Sequence, residues 1–293
     1  MRILLLGNTG QLGWELHRTL LPLGQVQALD YPQIDLTRPD TLRSLIQQAQ
    51  PQLIVNATAY TNVDRAESEP GIAQAINGDA PGVMAQAARE TGAALIHYST
   101  DYVFDGTKGS PYCEQDQPRP LGEYGRSKLA GEEAVKAGGA PYLILRTAWV
   151  YSTRRDNFVL KALGWARQNL TLRIVGDQVS NPTWARSLAE ISAQLLARGM
   201  PDIAGWIEER SGVYHLAGDG YASRLDWVRS ILEYDPHPDQ QVVGEVLPAA
   251  TADFPTPAKR PLFSALNCDR FTQTFGLQLP PWKESLKLAL QDG

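Results

Sequence analysis

A chain of 293 residues, 43% hydrophobic and 20% charged, has globular composition and is long enough to bury a large core in one α/β unit or two ordinary domains. Its formal net charge of -5 lacks the basic bias of a nucleic-acid footprint, and no apolar run approaches a membrane span, so no nucleic acid and no membrane is expected as a partner. The two cysteines, Cys113 and Cys268, lie far apart and suggest neither a disulfide framework nor a zinc site, which fits a reducing, cytoplasmic setting.

Met1-Arg2-Ile3-Leu4-Leu5-Leu6 begins like a signal sequence, but Gly7 and Asn8 interrupt it before an apolar core of the needed length. Strands are predicted at 3–6, 26–29, 53–56, 95–99 and 142–146. Helical patterns run between them at 12–21, 40–49 and 81–90, stopping at Pro22, before Pro51 and at Thr91-Gly92. The alternation implies α/β architecture: a Rossmann-type doubly wound parallel sheet with crossover helices. Beyond about Ala148 the pattern loosens, with helices expected at 158–168, 185–197 and 225–233 and strands at 172–175 and 213–216. The expected organisation is a dinucleotide-binding domain over 1–150 and a smaller substrate-binding lobe over 151–293, with some chain returning to the first domain.

Gly7-Asn8-Thr9-Gly10-Gln11-Leu12-Gly13 follows the first strand and opens the first helix. Glycines there let backbone approach a pyrophosphate at a helix N-terminus, where amide donors and the dipole favour an anion. The spacing is G-x-x-G-x-x-G, and a glycine-rich turn alone would be turn chemistry; the flanking strand and helix, with an acid ending the second strand, give it weight. That acid is Asp30, placed to accept from an adenosine ribose 2′-hydroxyl, which suits NADH. Asp35 competes for a nucleotide role, unless it or Thr37 only caps the helix opening near Pro39.

The strand at 95–99 runs into Thr100-Asp101-Tyr102-Val103-Phe104-Asp105-Gly106, placing Ser99 and Thr100 at the carboxyl end of a parallel strand, where open α/β sheets bind ligands. Further on, Tyr124-Gly125-Arg126-Ser127-Lys128 sets a tyrosine and a lysine on one face of a helix start. A phenol has a pKa near ~10, and a neighbouring ammonium lowers it, so the pair is a plausible acid/base device. Taken alone, Tyr-x-x-x-Lys also describes two side chains sharing an exposed helix face, and Thr100 alone reads as a turn cap.

Together, the glycine cradle, Thr100 and the Tyr124/Lys128 pair resemble the extended short-chain dehydrogenase/reductase superfamily. Within it the chain is most similar to the dTDP-4-dehydrorhamnose reductases. Matching segments include Asn56-Ala57-Thr58-Ala59-Tyr60-Thr61-Asn62-Val63-Asp64-Arg65-Ala66-Glu67, His97-Tyr98-Ser99 with the Thr100–Gly106 run, Arg146-Thr147-Ala148-Trp149-Val150-Tyr151 and Pro255-Thr256-Pro257-Ala258-Lys259-Arg260-Pro261. The resemblance implies reduction of the 4-keto group of dTDP-4-dehydro-L-rhamnose by NADPH or NADH, the final step of dTDP-rhamnose biosynthesis. It assigns Gly7, Thr9, Gly10, Gln11, Leu12 and Gly13, with Asp30, Asp35 and Leu36, to the dinucleotide, Ala59, Tyr60 and Thr61 to its lining, and Lys128 to its ribose. Tyr124 would face both cofactor and substrate as proton donor, with Thr100 polarising the carbonyl. Thr100, Asp101 and Trp149 would hold the sugar, Arg260 would clamp a diphosphate, and Asn181-Pro182-Thr183 would touch the nucleotide. Without the resemblance, Trp149 reads as a core or seam aromatic and Arg260 as a surface arginine.

Some relatives bind magnesium at a dimer contact. Here Ala185 precedes Arg186 and the chain ends Gln291-Asp292-Gly293, so neither the metal nor that dimer is expected, and a homodimer of another kind stays open. The rival readings are an NAD-dependent nucleotide-sugar epimerase or dehydratase, and a non-catalytic regulatory subunit resembling the methionine adenosyltransferase β-subunit.

Overall fold

The computed structural model describes residues 1–291. In chain order its strands are β1 (Arg2–Leu6), β2 (Gln25–Leu29), β3 (Leu53–Asn56), β4 (Ala94–Thr100), β5 (Tyr142–Thr147), β6 (Val150–Tyr151), β7 (Thr171–Val175), β8 (Val179–Ser180), β9 (Thr183–Trp184), β10 (Gly212–His215), β11 (Ala222–Ser223) and β12 (Glu245–Ala249). The helices are α1 (Gln11–Leu20), α2 (Pro39–Ala49), α3 (Val63–Ser68), α4 (Pro70–Ala73), α5 (Ala80–Thr91), α6 (Glu123–Gly138), α7 (Phe158–Ala166), α8 (Ala185–Arg198), α9 (Ile203–Glu208), α10 (Arg224–Glu233), α11 (Asp269–Phe275) and α12 (Trp282–Gln291).

Six strands form one parallel sheet in the order β10-β5-β4-β3-β1-β2. Successive residues of a strand face opposite sides, and both sides are covered. Ile3, Leu5, Val55, Ile96 and Leu145 pack with Leu16 and Leu20 of α1 and Leu188 and Leu195 of α8. Leu4, Leu6, Ile54, Leu95 and Ile144 pack with Leu42 and Ile46 of α2 and Met84 of α5. A further cluster joins Tyr151, Trp184, Trp227 and Leu286 among the C-terminal elements. The 213–216 run predicted as a strand is β10, which pairs with β5 and so lies in the main sheet.

The chain leaves β1 for β2 on one side and for β3 on the other, and the crevice that opens where the strand order reverses is at the carboxyl ends. Two helical features shape its floor. A π-helical turn spans Gln74–Asp79, and a Cβ on Gly131 of α6 would overlap the Asn77 carbonyl, so α6 lies hard against that turn. Asn77 then bonds the Tyr60 amide (2.8 Å), the Tyr60 carbonyl (3.1 Å) and Ser127 Oγ (3.1 Å), fixing the loop after β3 to the helix bearing Tyr124 and Lys128. Among the described residues no helix is long and apolar enough to cross a membrane.

Candidate active site

A cavity of about 660 Å³ lies along the carboxyl ends of the central strands. Its walls include Gly7, Thr9, Gly10, Gln11 and Leu12 from the glycine turn, Asp30, Asp35 and Leu36 beyond β2, and Ala59 and Thr61 beyond β3. Thr100, Asp101, Tyr124, Lys128 and Trp149 line it at the other end. Residues scattered over 150 positions of sequence thus share one concave surface.

The glycine turn is built for close approach. Gly7 has φ +92°, open to glycine at little cost, and a Cβ on Gly13 would overlap the Gly7 carbonyl oxygen. Gly13 therefore stands behind the cavity wall and seats α1 against the turn. Gly10 caps α1 with no side-chain bond, and the first turn carries no acid, so the leading amides of the helix suit an anion. Asp30 Oδ2 accepts from the Thr9 amide (3.0 Å) and hydroxyl (2.5 Å), tying the turn to the end of β2. Asp35 accepts from Thr37 through its amide (3.0 Å) and hydroxyl (2.6 Å), and these bonds hold its carboxyl below its ordinary pKa. The N-cap of α2 is Arg38, not Asp35 or Thr37.

At the other end of the cavity, Tyr124 sits edge-on to Tyr102 (centroids 5.8 Å apart) with Thr100 on the same wall. Gly125 lets this turn approach the loop after β4, because a Cβ there would overlap the Tyr102 carbonyl. Burial raises the Tyr124 phenol above its ordinary 10, the Thr100 hydroxyl opposes this, and Asp101 adds to the rise. This reverses the direction expected from the Tyr-x-x-x-Lys spacing, and the reason is where the lysine goes. Lys128 is 2% exposed, its Nζ donates to the Tyr98 carbonyl (2.7 Å), and burial pushes it down from 10.5 to about 8 against the pull of Glu132. In the free protein Tyr124 is therefore a protonated donor rather than an incipient phenolate.

Asp101 is buried, accepting on Oδ2 from Ser180 (2.9 Å) and Ser264 (2.5 Å) and on Oδ1 from Thr100 (3.2 Å). Burial raises its carboxyl, with these hydroxyls opposing. Behind the site, Arg146 of β5 grips Glu132 of α6 at 2.6 and 2.8 Å, both fully buried, and Ser99 donates to the same carboxylate at 2.6 Å. This locks β4, β5 and α6 together where Thr100, Tyr124 and Lys128 emerge.

Trp149 adopts φ +39°, a conformation that costs a bulky residue on the order of 1–3 kcal/mol and persists where surroundings over-determine it. Those surroundings are Trp227, stacked at 5.3 Å, and the Arg224 guanidinium, 3.7 Å over the indole. The strained turn aims Trp149 into the cavity.

Besides Gly13, the expected contacts Tyr60, Thr183 and Arg260 also stand off the wall. Tyr60 points away, its hydroxyl donating to Glu69. Thr183 is fully buried, its hydroxyl donating to the Asn181 carbonyl and accepting from the Gly218 amide (both 3.1 Å), which makes it a latch for the turn entering β9. Arg260 is forked onto Asp64 (2.6 and 2.7 Å) and also donates to Thr256 and the Ala258 carbonyl. Conversely, Ile76, Arg155 and Asp156 line the cavity outside every motif, and Thr58 and Thr147 line it from within matched segments in which they were given no role. Among the described residues no group of three or more His, Cys, Asp or Glu side chains gathers as a metal site, and Asp292 and Gly293 lie outside them.

A doubly wound parallel sheet, a glycine turn feeding a helix N-terminus, and Thr100, Tyr124 and Lys128 beside it at the strand ends define a short-chain dehydrogenase/reductase of the extended type. The model of the RmlD substrate binding domain family matches residues 1–293, and the chain belongs to that family. It is 42% identical to the dTDP-4-dehydrorhamnose reductase of Burkholderia thailandensis over 295 residues, covering 100% of this chain and 99% of that one. Among solved structures, the dTDP-4-dehydrorhamnose reductase of Clostridium acetobutylicum superimposes with a TM-score of 0.90 at 34% identity, with 99% of each chain covered. The Bacillus anthracis dTDP-4-dehydrorhamnose reductase, in complex with NADP, gives a TM-score of 0.90 at 31% identity over 100% of this chain and 99% of that one.

Proposed function

We propose that this protein reduces the 4-keto group of dTDP-4-dehydro-L-rhamnose to the alcohol of dTDP-L-rhamnose, using NADPH or NADH. The observation that carries the reading is the convergence of Thr100, Tyr124 and Lys128 on the same cavity as the glycine turn, in a chain matched end to end by reductases of that name.

The cavity fits a dinucleotide. The amides opening α1 suit a pyrophosphate, and Gly7 packs too closely on the Ala57 backbone to carry a Cβ. Asp30, Asp35 and Leu36 border the adenosine end. When bound, the reduced nicotinamide supplies the hydride. The remaining chemistry belongs to the chain. Thr100 donates a hydrogen bond to the carbonyl oxygen and polarises it, and Asp101 and Trp149 orient the sugar. Tyr124, held protonated by burial, gives its proton to the developing alkoxide, a contribution of typically about 10²- to 10⁴-fold. Lys128 orients the ribose and stabilises the phenolate that this transfer leaves.

The test is loss of reduced-nicotinamide absorbance when the purified protein meets dTDP-4-dehydro-L-rhamnose, with NADPH and NADH run separately. Turnover with either supports the reading and ranks the cofactors. No turnover with either, in protein shown to bind dinucleotide, overturns it.

A further inference from the structure

A histidine inside a strand of the main sheet invites a question that the reaction above leaves unanswered. His97 lies in β4 with no exposed surface, opposite Asn56 in the parallel ladder with β3. Burial and the Lys128 charge hold its imidazole well below 6.5, so the ring is neutral and carries one proton on one of its two nitrogens.

The neighbours decide which. Asn56 Oδ1 accepts from the Thr58 amide (3.0 Å) and from the Thr58 hydroxyl (2.5 Å). A backbone N–H can only donate, so the Asn56 amide cannot be turned round, and its NH₂ must be the end facing His97. That NH₂ is 3.0 Å from His97 Nδ1. An amide nitrogen has no lone pair to offer, so Nδ1 accepts and the ring proton sits on Nε2. His97 Nε2 lies 3.5 Å from Lys128 Nζ.

An N–H directed at an ammonium opposes two donors. Directed at a neutral amine, it finds a lone pair. The Tyr98 carbonyl, the other partner of Nζ, accepts from either form and more strongly from the ammonium, so it acts against the His97 donor. We propose that His97 is a positioning residue for Lys128: its Nε2–H, fixed by Asn56 and Thr58, favours the neutral amine and keeps the lysine proton mobile near neutral pH. Burial lowers the lysine to about 8, and the His97 donor acts in the same direction. The other ionisable groups about Lys128 do not. Tyr124, a turn earlier on α6, is protonated and uncharged, and Glu132, a turn later, pulls the lysine upward while bound to Arg146 of β5. The inference concerns Lys128 in the free chain and does not depend on the keto-sugar reading; where that reading holds, the pH profile of turnover follows the Lys128 midpoint.

The test uses the free protein and two NMR readouts. Long-range ¹H–¹⁵N correlation reports the His97 tautomer, and the ¹³Cε shift of labelled lysine, assigned with Lys128→Arg, reports the Lys128 titration. His97→Asn places its amide oxygen where Nδ1 was and leaves nothing at Nε2, whereas His97→Gln reaches the Nε2 position with an N–H₂ donor. The expected result is an Nε2–H tautomer in the wild type, a Lys128 midpoint raised by about one pH unit or more in His97→Asn, and a midpoint near wild type in His97→Gln. An Nδ1–H tautomer overturns the proposal. So do equal shifts in both variants, which would mark hydration of the vacated space rather than loss of a donor, and so does the absence of a shift in His97→Asn. Should His97→Asn fail to fold, His97→Ser, which likewise leaves no donor at the Nε2 position, takes its place, with the same rise expected and its absence overturning the proposal.

Discussion

Replacing Lys128 by methionine is expected to make the free protein more stable at neutral pH while destroying its activity. Lys128 is buried, and its folded pKa of about 8 lies below its ordinary 10.5. The unfolded chain therefore binds more protons through the window from about 8 to 10.5, and wild-type stability rises with pH across it. Below that window the folded state bears the full cost of a desolvated ammonium, about 3 kcal/mol at about 1.4 kcal/mol per pH unit; near pH 9.5 about 1 kcal/mol remains. Methionine removes the charge, but leaves the Tyr98 carbonyl without its 2.7 Å partner, a loss of about 1 kcal/mol that does not vary with pH. Lys128→Met should thus exceed wild type by about 2 kcal/mol near pH 6.5 and match it near pH 9.5. Urea unfolding of both proteins at the two pH values measures this, since titrating groups away from Lys128 are common to both and drop out of the difference. A variant less stable than wild type near pH 6.5, or a difference that does not change with pH, would refute the reasoning.

Other substitutions probe other parts of the site. Tyr124→Phe retains the edge contact with Tyr102 but has no proton to give, so turnover should fall by about 10²-fold or more while dinucleotide affinity by calorimetry stays within a few-fold; unchanged turnover would remove Tyr124 from its role. Glu132→Gln leaves the buried Arg146 without its counter-charge, and urea unfolding should show a loss of about 3–5 kcal/mol. Gly13→Ala pushes a methyl into the Gly7 carbonyl, so a loss of about 1–3 kcal/mol is expected, together with weaker NADPH binding by fluorescence titration.

Much of this was legible in the sequence because the signals were local. Apolar strand runs bounded by Pro and Gly mark β1 to β5 to within a residue or two, since consecutive apolar residues have no water-facing side to occupy in a parallel sheet with both faces covered. The glycine turn and the Tyr124/Lys128 spacing are also local, and both arrive at the cavity. The failures share a different cause. The spacing of Tyr124 and Lys128 says nothing of the Tyr98 carbonyl and His97 that reach Lys128 from β4, and burial, not helix geometry, sets the two pKa directions. Thr183 and Arg260 sit in motif segments, yet their polar atoms are engaged with Gly218 and Asp64, contacts set by chain folding over long separations. Arg155 and Asp156 reach the cavity only because the loop after β6 turns back at an Arg155 φ of +60°, which no pattern in the residues announces.

The most direct test of the central claim is label transfer. The protein is incubated with dTDP-4-dehydro-L-rhamnose and reduced nicotinamide dinucleotide carrying deuterium at C4 of the ring, in separate samples for each face of the ring, and the sugar product is examined by mass and by NMR. The account predicts one deuterium at C4 of dTDP-L-rhamnose, from one face only, and none with Tyr124→Phe over the same time. Unlabelled product, or label at a sugar carbon other than C4, would contradict it.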